Sequence, residues 1–240
     1  MWSLDGNLQK MINKKNIVNY MKRSRNNLRQ QKFGEVHVFV KDKMTNKISL
    51  EDVFSKINYL IPDHLISLVD VIYIGDFPFL NEKHSNASYM DGAIYISNEQ
   101  DDEEDVLDDL VHEYSHAAED QYQYDLYSDG KIENEFLGKR NKLELLLNYE
   151  GYKTDDVNFH NTSYDERTDI FLSQEVGYEK LSFLTIEVFP SAYSTTSLRE
   201  YFGVGFEEYY LGDRKDLKRM CPNLYHKINT LDNDQFKKNN

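Results

Sequence analysis

The chain has 240 residues, a formal net charge of −14 and a composition that is 40% hydrophobic and 13% aromatic. This apolar content excludes general disorder, and the negative charge argues against nonspecific binding of nucleic acid or membranes by the whole molecule. Cys221 is the single cysteine, so an internal disulfide is excluded.

The first ten residues lack the apolar segment of a secretion signal, and no run of 18 apolar residues follows anywhere in the chain. We therefore expect a soluble protein with no membrane partner, either cytoplasmic or released by a non-classical route. We expect one domain over residues 1–240, consisting of a basic N-terminal helix (1–34), a sheet-bearing lobe (35–126) and a helical lobe (127–240).

Residues 1–34 are the most basic part of the chain, since their lysines and arginines are opposed by Asp5 alone. Spaced apolar residues predict an amphipathic helix over residues 8–31. One interpretation is a solvated helix packed by one face; the other is an arm for an acidic partner, either nucleic acid or the acidic residues 99–109. The lack of interleaved aromatic side chains favours the first and argues against a nucleic-acid partner.

The sheet-bearing lobe has three predicted strands, over residues 35–41, 70–75 and 93–97, because each is rich in β-branched residues. A helix is predicted from Leu50 to Leu60, ending near Pro62. The carboxylates of residues 99–105 then fit the first turns of a long helix capped by Ser97 or Asn98, where the helix dipole favours negative charge. This local explanation makes a calcium site unnecessary.

The long helix carries the pattern His-Glu-x-x-His. Its two sides differ: Leu107, Leu110, Val111, Tyr114 and Ala118 form an apolar stripe, and Asp109, His112, Glu113, His116 and Asp120 gather opposite. Histidines at i and i+4 project side by side and can each give a nitrogen to one zinc ion at about 2.0–2.1 Å. Glu113 is placed to take a proton from water, as in zinc hydrolases.

Two alternatives compete with this interpretation. The motif can match by chance on a solvated helix face, or it can belong to a catalytically inactive, zinc-stabilised module that binds a protein or nucleic-acid partner.

A catalytic zinc needs a third protein ligand. Asp120 lies eight residues after His112, about 12 Å along a straight helix, so we predict that it orients one of the histidines instead. The third ligand is expected within residues 192–210. Glu200 and Glu207 are rival candidates there, and Glu208 is a weaker one. Residues 197–200 also form a capping box, which would make Glu200 merely a helix-start residue.

The rest of the chain predicts helices over residues 132–147, 197–211 and 214–230, with short helical segments at 165–186 and an exposed loop at 151–165. The expected fold class is therefore α+β. A small mixed sheet and helices occupy the first half, the active-site helix lies at the boundary between the lobes, and the second half is all helical.

The motif residues resemble the catalytic domain of anthrax lethal factor and the related Pro-Pro endopeptidases. The resemblance rests on the segment from His112 to Asp120, on Tyr193 followed seven residues later by Glu200-Tyr201-Phe202, and on residues 218–225. It covers roughly residues 88–230. It implies a zincin-like fold and a zinc endopeptidase acting on a protein or peptide substrate.

By position, the resemblance implies one Zn²⁺ per chain, held by His112, His116 and Glu200, with Glu113 as the general base. Tyr193 would donate a hydrogen bond to the developing oxyanion. If the strand at 93–97 forms the cleft edge, it could pair with an extended substrate backbone as an added strand.

Two departures from the family pattern stand out. The 84 residues from position 116 to position 200 are a longer separation than the lethal-factor pattern has, which indicates inserted helices or a loop. Gly203, Val204 and Gly205 replace residues that are acidic or alanine in the relative, and such glycines permit close approach of helices.

Overall fold

The computed structural model describes residues 29–33, 36–234 and 236. Its strands are β1 (Arg29–Phe33), β2 (Val36–Val40), β3 (Val71–Gly75), β4 (Ala87–Met90) and β5 (Ala93–Ser97). In the same part of the chain lie the helices α1 (Leu50–Leu60), α2 (Asp63–Ile66) and α3 (Pro78–Lys83).

Among the described residues of the second half, all regular secondary structure is helical. Its α-helices are α4 (Glu103–Tyr127), α5 (Lys131–Tyr149), α6 (Glu166–Ile170), α7 (Tyr178–Thr185), α8 (Leu198–Tyr210), α9 (Arg214–Met220) and α10 (Pro222–Asp232). A π-helical segment, Phe171–Gly177, joins α6 to α7, and a short 3₁₀ turn, Tyr193–Thr195, precedes α8. The predicted α+β class is confirmed.

Most of the predicted basic helix lies outside the described residues. Its last part does not: Arg29–Phe33 form strand β1, where a helix was predicted to run to residue 31. These residues pair antiparallel with β2, from Arg29 opposite Val40 to Phe33 opposite Val36. Pairing with the neighbouring β-branched strand therefore overrides the helical pattern at this point.

The five strands form one mixed sheet in the order β1-β2-β3-β5-β4. β2, β3 and β5 run parallel, while β1 and β4 are antiparallel to their neighbours. The three predicted strands are confirmed, and the condition that residues 93–97 form an edge is not met, since β5 lies between β3 and β4. The two-residue turn Asp91-Gly92 has positive φ at both positions and folds β4 back along β5.

One face of the sheet and the apolar side of α4 share a core. Alternate strand residues such as Val38, Ile72 and Ile94 are buried on this face, and α1 and α4 lie close to each other in the same core. Buried apolar side chains from both halves of the chain join in a single cluster that runs from residue 36 to residue 231. Helix α4, which carries the His-Glu-x-x-His pattern, therefore packs against the sheet, α5 and α8.

Helix α4 begins later than predicted. Its N-cap is Asp102, whose side chain accepts hydrogen bonds from the backbone N–H groups of Glu104 and Asp105, so neither Ser97 nor Asn98 caps it. Ser97 instead accepts from the N–H of Glu99 in the preceding loop. The carboxylates of residues 103–105 still occupy the first turn, where the helix dipole favours them.

None of the described helices is long and apolar enough to cross a membrane.

Candidate metal centre

The site forms where α8 packs along α4. Gly203 lies directly beneath the imidazole of His112: a Cβ atom at this position would come within 2.7 Å of His112 Cε1. At Gly205 a Cβ would come within 2.3 Å of Leu224 Cδ2 on α10. Both glycines therefore permit the close helix approach that the sequence predicted, and the first of them does so at the site itself.

Three potential ligands meet at this crossing. Ligand atoms of His112, His116 and Glu200 all lie within 4.8 Å of one another. The two imidazoles pack edge to face with centroids 4.7 Å apart, and Glu200 Oε2 is 3.1 Å from His112 Nε2. The fold thus brings together the three residues whose meeting the sequence predicted, although Glu200 lies 84 positions after His116.

The capping function and the site function of Glu200 coexist. Ser197 is the N-cap of α8, and its hydroxyl accepts a hydrogen bond of 3.1 Å from the N–H of Glu200. The Glu200 carboxylate does not return to the cap, as a full capping box requires, but reaches His112. Only half of the box forms, and the side chain remains for the cluster.

Glu207 and Glu208 take other places. Glu207 Oε1 bonds Nδ1 of His112, on the opposite side of the ring from Glu200. Glu208 lies beside Gly212 at the end of α8.

Burial disfavours a charge on His112, but its bonds to Glu200 and Glu207 outweigh burial and raise the pKa of His112 to about 10. The pKa of Glu200 is lowered, because the His112 contact outweighs the effect of its own burial.

The carboxylate beside His116 belongs to Glu119, whereas Asp120 was predicted to orient one of the histidines. Glu119 is buried, and its Oε2 is 3.8 Å from His116 Nδ1. The Asp120 side chain is 54% exposed and faces Arg199. Residues at i+3 and i+4 both neighbour His116 on the helix surface, so the spacing alone did not distinguish Glu119 from Asp120; the packing of α4 buries Glu119 and leaves Asp120 exposed.

Glu113 lies between α4 and the sheet. Its side chain is buried, and Oε2 accepts a hydrogen bond of 2.5 Å from the N–H of Tyr89 on β4. Within the described part of the chain, its other oxygen has no hydrogen-bonding partner. β4 was not predicted, so the sequence offered no sign of this contact except the Asp91-Gly92 turn that places the strand.

Tyr193 lies on the 3₁₀ turn before α8, with its ring centroid 6.4 Å from that of His112. Its side chain is partly exposed at 45%. Burial of the hydroxyl, together with the nearby Glu200 carboxylate, raises the pKa of Tyr193. The phenol therefore remains a hydrogen-bond donor at neutral pH.

The donor set suits a divalent metal ion. Two imidazole nitrogens and one carboxylate oxygen are the ligands that catalytic zinc sites use. Among the described residues, His116 has no hydrogen bond, and its buried Nδ1 lies 3.8 Å from Glu119 Oε2, beyond hydrogen-bonding distance. A buried imidazole that makes no hydrogen bond is costly unless another group satisfies it. These residues therefore fit a metal ion, and the cluster could hold one.

No protein-family model, curated protein sequence or solved structure matches this chain. The likeness to the lethal-factor family therefore rests on the motif residues themselves, and the chemistry of the site on its geometry.

Proposed function

We propose that this protein is a zinc-dependent endopeptidase with a zincin-like arrangement of its active-site helix and sheet. The observation that carries the proposal is the convergence of His112, His116 and Glu200 on one point, beside a buried glutamate from the same motif. A metal held only for stability would not need that glutamate, one oxygen of which accepts the Tyr89 N–H while the other makes no hydrogen bond among the described residues.

His112, His116 and Glu200 would hold the zinc ion, which when bound would supply a water of lowered pKa, about 7, and polarise a peptide carbonyl. Glu113 would serve as the general base that accepts a proton from water and delivers it to the leaving amine. The bond from the Tyr89 N–H holds one carboxylate oxygen in place, which leaves the other for the proton. The Tyr193 hydroxyl donates a hydrogen bond to the developing oxyanion.

The substrate would lie along β4. This strand is an edge of the sheet, and it runs next to Glu113 through the Tyr89 contact. An extended peptide can add to such an edge through main-chain hydrogen bonds. This role replaces the one predicted for residues 93–97, which have strands on both sides.

The decisive experiment compares Glu113→Gln with the wild-type chain on a peptide library read by mass spectrometry. We expect cleavage by the wild type and a loss of at least about 10²-fold in the variant, because a general base contributes that much or more. Both proteins should bind about one zinc per chain. Equal cleavage by the two proteins would refute the mechanism, and a zinc-loaded wild type that cleaves nothing would favour the inactive binding module.

The ligand assignment has its own test. Glu200→Ala should lose zinc, whereas the matched change Glu208→Ala on the same helix should retain it, because Glu208 lies at Gly212. Zinc content measured after gel filtration decides between them. Full zinc retention by Glu200→Ala would rule out Glu200 as a ligand.

A further inference from the structure

The carboxylate of Glu119 lies on α4 one turn after His116, and nearly all of it is buried. Its Oε2 is 3.8 Å from Nδ1 of His116, which has no hydrogen bond within the described chain. It is the acidic group that faces this nitrogen, as Glu207 faces Nδ1 of His112. Each histidine of the motif therefore has a carboxylate on its Nδ1 side.

Two side chains fix Glu119 from different directions. The hydroxyl of Tyr127 donates to Oε1 at 2.6 Å, and Arg199 Nη1 forms an ion pair of 3.1 Å with Oε2, which accepts no hydrogen bond among the described residues. Tyr127 is eight residues further along α4, which corresponds to about 12 Å on a straight helix. The backbone at Tyr122 leaves helical geometry, with φ −113° and ψ 19°, and this kink accompanies the return of Tyr127 to Glu119.

Arg199 connects this carboxylate to the other helix. It lies in the first turn of α8, immediately before Glu200. Its ion pair with Glu119 therefore links the two helices beside the proposed ligands. Arg199 immediately precedes Glu200 on α8, and Glu119 lies one turn after His116 on α4. Arg199 also lies 3.3 Å from Asp120, but that carboxylate is exposed, and ion pairs in water are weak.

We propose that Glu119, held by Arg199 and Tyr127, is a positioning residue that orients His116 and seats Glu200 for metal binding. This inference rests on the proposed function, because it assigns a role toward the same metal. An acceptor on Nδ1 fixes the tautomer that leaves Nε2 as the metal-binding nitrogen. The Arg199 contact adds a constraint on α8 that a carboxylate within α4 alone would lack.

The test compares Glu119→Gln with Asp120→Asn, two neighbouring carboxylates that contact the same arginine. Zinc dissociation constants are measured by competition with a chromophoric chelator. We expect Glu119→Gln to weaken zinc binding by about 10- to 100-fold, as the loss of such supporting groups does elsewhere, and Asp120→Asn by less than about threefold. Equal affinities in the two variants would overturn the inference.

A second variant separates a loss of zinc binding from a failure of the protein to fold. The side chain of Arg199 is 43% exposed, so Arg199→Gln should fold, and it should weaken zinc binding in the same direction. The double variant with Glu119→Gln should lose little more than the stronger single variant, because the two residues act as a pair. Additive losses would contradict a shared role.

Cobalt gives a readout that general destabilisation would not change. The visible absorption of Co²⁺ bound to Glu119→Gln should shift relative to the wild type if His116 is misoriented, while Asp120→Asn should reproduce the wild-type spectrum. A wild-type chain that binds neither metal would overturn the proposed function and this inference together. A wild type that binds zinc without cleaving peptides would overturn only the endopeptidase activity.

Discussion

Glu200 and Glu207 lie on nearly the same face of α8, and the position of Gly203 between them explains their different roles. The imidazole of His112 rests on Gly203, three residues after Glu200 and four before Glu207. The two carboxylates therefore reach opposite nitrogens of one ring. Helical periodicity alone could not separate them, because it places residues on a face without showing which neighbour crosses there.

Asp109 presents another consequence of burial at the residue scale. It lies one turn before Glu113 and accepts a hydrogen bond of 2.7 Å from Gln100 Nε2. Burial raises its pKa from 3.8 to about 6, and the Gln100 bond offsets this only in part. Because the folded-state pKa exceeds the unfolded one, ionisation of Asp109 opposes folding.

Asp109→Asn should therefore stabilise the protein above pH 6. The stability that the protonated wild-type carboxyl contributes is fully present below about pH 4 and is lost as the pH rises through about 6. We expect the variant to be more stable by on the order of 1 to 3 kcal/mol at pH 8, from a shift worth about 1.4 kcal/mol per pKa unit, and by much less below pH 4.

Urea unfolding in the presence of a chelator measures this difference without the charge of a metal. The exposed Asp120→Asn serves as the control, for which no comparable pH-dependent gain is expected. A constant difference between Asp109→Asn and wild type from pH 4 to pH 8 would contradict the effect of burial.

At the scale of elements, segments with a clear apolar or β-branched pattern were predictable, and a short segment without such a pattern was not. The apolar stripe of α4 is buried as predicted, from Leu107 to Ala118, because a run of 25 residues averages out local exceptions. β4 has only four residues, Ala87–Met90, with no alternation of apolar and polar side chains. Its existence depends on pairing with β5, which is a tertiary contact. Without β4, the sequence could not show which strand forms this edge of the sheet.

The crossing of α4 and α8 gives a prediction about glycine. Gly203→Ala places a methyl group against an imidazole that Glu200 and Glu207 hold from both sides, so the ring cannot move aside freely. We expect a loss of about 1 to 3 kcal/mol in the free energy of unfolding, as for other overpacked sites, and at least a tenfold loss of zinc affinity.

Gly138→Ala is the matched control for this change. Gly138 lies within helix α5, is exposed, and a Cβ there would meet nothing within 4 Å. It should stabilise the protein by about 0.5 to 1 kcal/mol, because alanine favours the helix, and leave zinc affinity unchanged. Urea unfolding followed by circular dichroism measures the stability of both variants, and chelator competition measures their zinc affinity. Opposite signs are expected for the two glycines, and equal signs would contradict the close-approach role of Gly203.

At the scale of the whole molecule, the cluster links parts of the chain that are far apart in sequence. Helix α4 supplies two of its members and α8 the third, and both helices belong to the one apolar core that also includes the sheet. Unfolding either helix would separate the three side chains. Metal binding at this cluster would therefore be coupled to global folding, because an unfolded chain does not present the three proposed ligands together.

This coupling predicts that stability depends on free zinc. Above the dissociation constant, each tenfold rise in buffered free zinc should raise the free energy of unfolding by about 1.4 kcal/mol, since only the folded state binds tightly. Urea midpoints measured at several buffered zinc concentrations give this slope. Glu200→Ala should flatten it over the same range, while Glu208→Ala should keep it. A wild-type midpoint that does not move with zinc would show that the cluster does not bind the ion in the folded state.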